Sequence, residues 1–219
     1  MSQAPAIPKI YHIVHVDRVD SILAEGCLHC DAVMGERDNA GTAIGMSDIK
    51  QRRLSLPLDC QPDLRIGDCV PFYFCPRSVM LYLLHMGNHP NLTYRGGQQP
   101  IVHLESDLCK AVAWAEASGR RWAFTLSNAG AFYFEDRCNL NQLDEIDWSA
   151  VQANKWSGPG VSSLIKEGKQ AEFLVERSFP WGLVERIGVH GTGVAQQVAN
   201  AIRDAEHRPR IEIRRDWYY

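Results

Sequence analysis

The stretch that most limits how this chain can fold is Lys169-Gln170-Ala171-Glu172-Phe173-Leu174-Val175-Glu176, which continues through Arg177-Ser178-Phe179-Pro180 to Trp181. Phe173, Leu174 and Val175 make a short apolar run after a Gly/Ser-rich segment, the pattern of a buried strand and too short for a buried helix. Glu172 sits at its start. A carboxylate in an apolar run is rarely buried without a partner or a task. Glu172 is therefore read as pointing into a pocket and as the candidate catalytic group, against the plainer reading of a surface Glu on an edge strand. Glu176, four residues on and on the same strand face, borders Arg177 and reads as solvated.

A buried strand needs neighbours, and the rest of the chain supplies them. Residues 7–16 (IPKIYHIVHV) mix β-branched and aromatic residues and predict a first strand, with His12 and His15 on opposite faces. Asp17 predicts the N-cap of a helix ending at Gly26. Residues 27–47 lack periodicity and predict a long loop, and residues 48–54 (DIKQRRL) a short element carrying Arg52 and Arg53. Residues 68–74 predict a strand broken at Cys75-Pro76-Arg77, followed by a helix to Met86. Further strands are expected at 100–104, 122–126, 183–190 and 209–214, with helices at 106–117 and 194–206. Residues 131–148, which mix aromatics with acidic residues, are expected to pack on the sheet. Strands outnumber helices and no regular helical crossovers separate them, which predicts an α+β fold with mixed or antiparallel sheets and flanking helices. At 219 residues the chain suits one core, so residues 1–219 read as a single domain.

Composition narrows the function. A formal charge of -3 provides no overall basic field, so nucleic acid must be met by a local patch and not by coating a duplex. The N-terminus lacks a basic and apolar leader, and no run nears the ~18 apolar residues of a membrane span; a cytoplasmic protein that meets no membrane is expected. Seven cysteines without regular spacing suggest reduced thiols. Cys27-Leu28-His29-Cys30 is the one CxxC, without the second pair that structural zinc sites use, so no metal is expected. The phosphate-loop, dinucleotide-binding and zinc-protease fingerprints are all missing.

Two other features carry chemistry. Arg52 and Arg53 could grip phosphate with a planar fork, although adjacent arginines on a helix equally suit a solvent face. His12 reads as a structural histidine when taken alone. Residues 154–168 (NKWSGPGVSSLIKEG) cannot build a core and read as a surface contact.

Together, Tyr11-His12-Ile13, DIKQRR (48–53), VPFYFCPRSVMLY (70–82), GGQQPIVHL (96–104), KQAEFLV (169–175) and the terminal Arg215-Asp216-Trp217-Tyr218-Tyr219 resemble, in order, the DarT family of DNA ADP-ribosyltransferase toxins. The resemblance implies a compact ADP-ribosyltransferase fold related to the poly-ADP-ribose polymerases. It implies NAD as co-substrate, a base in single-stranded DNA as target, and restraint by a macrodomain antitoxin of the DarG type. It makes Glu172 catalytic and Arg53 the second essential group. It assigns His12, Ile13, Val14, Ser21, Leu28 and Arg53 to NAD. Lys155, Trp156 and Lys166 would meet the DNA, with Trp156 as a stacking face. One departure stands out: where the family continues Phe-Thr with Asp and then His two positions on, this chain has Leu126 and Asn128. Asn128 would then face the DNA, and the departure bears on the choice of base, with thymine favoured over guanine. An enzyme of the same fold acting on RNA or protein, and a non-enzymatic nucleic-acid-binding module, are the rival expectations.

Overall fold

A computed structural model of the protein describes residues 3–37 and 41–219. Its strands are β1 (Lys9–His15), β2 (Cys27–His29), β3 (Cys69–Tyr73), β4 (Ile101–Asp107), β5 (Trp122–Thr125), β6 (Asp136–Arg137), β7 (Glu172–Glu176), β8 (Ser178–Pro180), β9 (Val184–Val189) and β10 (Arg210–Ile213). The helices are α1 (Val19–Glu25), α2 (Asp31–Gly35), α3 (Ser47–Arg53), α4 (Val79–Met86), α5 (Leu108–Ala117), α6 (Trp148–Gln152), α7 (Ser163–Gly168) and α8 (Thr192–Ala201). Eight strands form one sheet in the order β10-β9-β4-β1-β3-β7-β5-β6, and β2 pairs with β8 in a second, small sheet. Every pairing is antiparallel except β9 with β10. The α+β expectation with a mixed sheet holds.

Period-two alternation decides what each strand faces. On β7, Phe173 and Val175 join the large core with Phe72, Val70, Phe124 and Phe179, whereas Leu174 turns to a smaller cluster with Leu58, Leu64 and Ile66. On β1, Ile10 and Val14 enter the large core, while Tyr11 and Ile13 pack on the other side with Leu81, Leu84, Trp217 and Tyr218. Gly188 on β9 lies directly beneath the Trp217 ring, where a Cβ would come within 2.3 Å of it. Only the absence of a side chain lets the C-terminal tryptophan seat there.

One defect in the sheet positions the site. β1 and β4 pair over seven residues, but β1 and β3 meet only at Tyr11 opposite Tyr73. Where β1 and β3 part, a cavity enters between them, lined by His12, Ile13 and Val14 from one strand and Pro71 and Tyr73 from the other.

Several local expectations are corrected. Asp17 does not cap α1; its carboxylate accepts from the Thr42 amide and hydroxyl, 2.6 Å from the latter, and a 3-10 turn precedes the helix. Residues 27–47 are not one loop, because β2 finds a partner 150 residues away in β8, a pairing invisible to local pattern. Residues 163–168 of the presumed surface loop form α7, with the Ser162 hydroxyl accepting the Leu164 amide. Residues 131–148 do not lie down on the sheet throughout: Phe132 and Tyr133 are 80% and 94% exposed. Among the described residues no helix is long and apolar enough to cross a membrane.

Candidate active site

Glu172 opens β7 directly opposite Tyr73 of β3, and only 3% of it is exposed. Its amide donates to the Thr125 hydroxyl at 3.1 Å, and that hydroxyl donates on to the Ser127 carbonyl at 2.7 Å. The strand start is thereby fixed to the end of β5 through the Thr125 side chain. The carboxylate is held by Arg53, the last residue of α3, through two parallel bonds, Nη1 to Oε1 at 3.2 Å and Nη2 to Oε2 at 2.9 Å. Arg53 is the buried member of the arginine pair, 8% exposed. Burial opposes its charge, but the Glu172 carboxylate outweighs that and holds the guanidinium above its ordinary value. Arg52 turns the other way and lies 5.9 Å from the centre of the Phe132 ring.

Tyr73 completes this corner. Burial first, and the negative charge of Glu172 second, push its hydroxyl above its usual range, so it stays a neutral phenol. His12 Nδ1 lies 2.7 Å from the Pro71 carbonyl. A carbonyl only accepts, so Nδ1 carries the proton and Nε2 is the ring's free acceptor. Burial drops the His12 pKa to about 4, which keeps the ring neutral near pH 7.

These residues share one cavity that opens to solvent at its mouth. His12, Ile13, Val14, Ser21, Leu28, Arg53, Asn128 and Glu172 all line it, so the structure gathers eight of the eleven residues singled out in the sequence. Ser21 donates to the Arg18 carbonyl at 2.9 Å, and Asn128 Oδ1 accepts the Gly130 amide at 2.8 Å, shaping the turn after β5. Lys155 and Lys166 are exposed and stand apart from the cavity.

Trp156 is a correction. Its ring is buried at 4% exposure, donates from Nε1 to the Tyr219 hydroxyl at 2.9 Å and packs edge-on to Tyr82, so it presents no free stacking face. A large amphipathic ring gains more from a dry aromatic pocket with a partner for its N–H than from water. Glu176 is likewise not simply solvated: it takes a two-pronged grip from Arg121, with bonds of 2.7 and 3.1 Å.

The sequence reading missed Tyr73, Arg18, Lys50 and the exposed Phe132-Tyr133 pair. Arg18 lines the cavity, its Nε without a partner among the described residues and its Nη2 3.5 Å from the Met34 sulfur. Lys50 stands nearby, paired with Asp31 at 2.8 Å. The apolar end is formed by Val79, Met80 and Leu83 beside Tyr73. A cavity with a buried carboxylate, a neutral histidine acceptor, an aromatic wall and two cations suits a long ligand bearing both an apolar ring and anionic groups. No composition signal marks Arg18 or Lys50; the aromatic run at 132–134 did, but its packing was misjudged.

Comparison with known proteins gives concordant results. Residues 11–219 match the family model described as "ssDNA thymidine ADP-ribosyltransferase, DarT". A protein of Thermus sp. (strain 2.9) named DNA ADP-ribosyl transferase is 38% identical, over 98% of this chain and 98% of its own length. The solved structure of Thermus sp. 2.9 DarT in complex with ADP-ribosylated ssDNA superposes with a TM-score of 0.87 at 35% identity, covering 100% of this chain and 99% of that one. The same protein in complex with NAD+ gives a TM-score of 0.81 at 34% identity, over 99% and 100% of the two chains.

Proposed function

This chain belongs to the DarT family of single-stranded-DNA thymidine ADP-ribosyltransferases, and from that premise we propose how its residues move ADP-ribose from NAD to a thymine base. The Arg53-held carboxylate of Glu172, buried in the wall of a cavity that His12, Arg18 and Lys50 also line, is the observation that carries the reading.

The residues present fit NAD. Arg18 and Lys50 are the cations for the diphosphate, and Arg18 Nε is a buried donor with no acceptor among the described residues. His12 offers Nε2 to a ribose hydroxyl, Ser21 and Leu28 border the same wall, and the backbone of Ile13 and Val14 runs along it. Tyr73 with Val79, Met80 and Leu83 provides an aromatic and apolar seat for the nicotinamide ring.

Bound NAD supplies an activated ribose whose nicotinamide departs with the bonding electron pair as a neutral leaving group. Positive charge grows on the ribose as that bond lengthens, and Glu172 is the negative group fixed to stabilise it in a site of low dielectric. In thymidine N1 already carries the sugar, so N3 is the one ring N–H. Its nitrogen makes the new bond to the ribose, and its proton passes to Glu172 as general base. Arg53 holds the carboxylate aimed, with a fork that lysine does not reproduce. A single-stranded target spares the enzyme most of the cost of unstacking the base. The strand lies over the turn at Asn128 and against the exposed Phe132 and Tyr133, where flat faces are free to stack. Lys155 and Lys166 meet phosphates at the outer edge.

The protein works as the toxin of a toxin–antitoxin pair. Its partner is a macrodomain antitoxin of the DarG type, and its place is the cytoplasm, where NAD and transiently single-stranded DNA occur together. The test is incubation with NAD and single-stranded oligonucleotides of differing base content, read by mass spectrometry. The expected result is one added ADP-ribose on thymine-containing strands and none with Glu172→Gln. Modification confined to guanine-containing strands would overturn the base assignment and trace it to Leu126 and Asn128. Full activity in Glu172→Gln would overturn the mechanism.

A further inference from the structure

Three donor atoms with no part in the reaction converge in the outer wall of the cavity. β2 places Cys27 and His29 two residues apart, hence on one side of the strand. Gly26, left-handed at φ +67°, ends α1 and turns the chain so that Glu25 reaches the same side. Cys27 Sγ lies 3.4 Å from His29 Nε2, and Glu25 Oε2 lies 2.5 Å from that same nitrogen. All three donor atoms are within 4.8 Å of one another.

We propose that Glu25, Cys27 and His29 form a three-ligand zinc site. Thiolate, imidazole and carboxylate are the ligand types of zinc, and three protein ligands leave its fourth tetrahedral position for water. With zinc bonds of about 2.3 Å to sulfur and about 2.0–2.1 Å to nitrogen, the S-to-N edge of a tetrahedron is roughly 3.5 Å. The Cys27-to-His29 spacing already has that length, so only the carboxylate must swing outward. Without metal, His29 Nε2 donates to the Glu25 carboxylate, which can only accept, and zinc takes the place of that proton; His29 Nδ1, which has no hydrogen-bond partner among the described residues, is free to carry the proton instead. Cys30, the second cysteine of the CxxC, is buried and takes no part.

Without metal, the cation at this place is Arg37. It pairs with Glu25 and brings Nη2 within 3.4 Å of His29 Nε2, while a third of its side chain remains exposed. Zinc and the Arg37 guanidinium are therefore competitors for one anionic corner. Binding releases the Cys27 thiol proton to solvent, forms the sulfur–zinc bond, and frees Arg37. The inference rests on the donor set alone and not on the NAD reading.

The test is competition between metal-stripped protein and a chromophoric zinc chelator, with cobalt substitution as a second readout. The expected result is one zinc per chain, a thiolate-to-cobalt charge-transfer band, and weakening of at least about tenfold in Cys27→Ser, His29→Ala and the surface variant Glu25→Gln. Cys109→Ser should bind as the parent does, and Arg37→Ala should bind more tightly. No zinc uptake by the parent protein, or undiminished affinity and an intact charge-transfer band in Cys27→Ser, would overturn it. Affinity lost in Cys60→Ser but kept in Cys27→Ser would overturn it too, by moving the metal elsewhere.

Discussion

Arg53 and Glu172 define each other's state. The Glu172 carboxylate is held by a two-bond grip in a nearly dry corner, so on the proposed mechanism Arg53 both stabilises the fold and positions the group that catalysis uses. Removing one member of a buried pair leaves an uncompensated charge, which costs about 3–5 kcal/mol in general, and nearer about 3 kcal/mol beside an open cavity. Arg53→Ala is therefore expected to lower the unfolding free energy by that amount, read as a fall in the urea midpoint, and to lose transfer activity. Arg53→Lys separates the two effects: it restores a cation but not the fork. Most of the stability should return while the transfer rate stays at least about tenfold down, a difference of about 1.4 kcal/mol or more. A lysine variant with the parent rate would show that charge alone suffices and that the geometry of the pair is incidental.

At the level of elements, the turn between β5 and β6 and the segment between α6 and α7 exchange the roles that sequence assigned them. On the proposed reading the exposed Phe132 and Tyr133 serve as the stacking surface, while the buried Trp156 is a structural anchor. Replacing Phe132 and Tyr133 together by Ala should weaken single-stranded DNA binding by about 1–3 kcal/mol per lost stack while leaving nicotinamide release without DNA unchanged. Trp156→Ala should behave in the opposite way, costing about 3–5 kcal/mol of stability; a stable Trp156→Ala protein with impaired DNA binding would restore the original assignment. Local pattern does mark the elements that announce themselves by period and cap: β7, with its apolar run behind Glu172; α1, with its stop at Gly26; α4, whose first turn is capped by the Ser78 hydroxyl. It does not reveal the β2–β8 pairing, the parting of β1 from β3, or the burial of Trp156 against Tyr82 and Tyr219, because each depends on residues far apart in the chain. The same reason separates Glu172 from Arg18. A carboxylate in an apolar run violates a local rule and can be seen, whereas an arginine beside an aspartate on a helix breaks none.

For the molecule as a whole, two histidines tie folding to pH. His12 lines the cavity with Arg18, Lys50 and Asp31 around it, and His103 on β4 donates from Nε2 to the Pro76 carbonyl at 2.9 Å, packed between Trp217 and Tyr218. Burial lowers both pKa values to about 4, below the ~6.5 of an unfolded histidine. Between those values the unfolded chain binds more protons than the folded one, so stability falls as the medium is acidified. Their contribution is fully present above about pH 6.5 and drains away toward pH 4, at no more than about 1.4 kcal/mol per pH unit per histidine. Paired carboxylates such as Glu176 and Asp107, held low by burial-offsetting bonds to Arg121 and Lys9, begin to lose their own share only below their unfolded values near pH 4. The window from about 6.5 down to 5 thus belongs to the histidines. Urea midpoints measured at intervals across it should decline in the parent protein, and His103→Gln, which keeps a donor for the Pro76 carbonyl but cannot titrate, should show about half that slope. An unchanged slope in the variant would mean that His103 is not held neutral by burial, and that the packing of Trp217 and Tyr218 over β4 admits water.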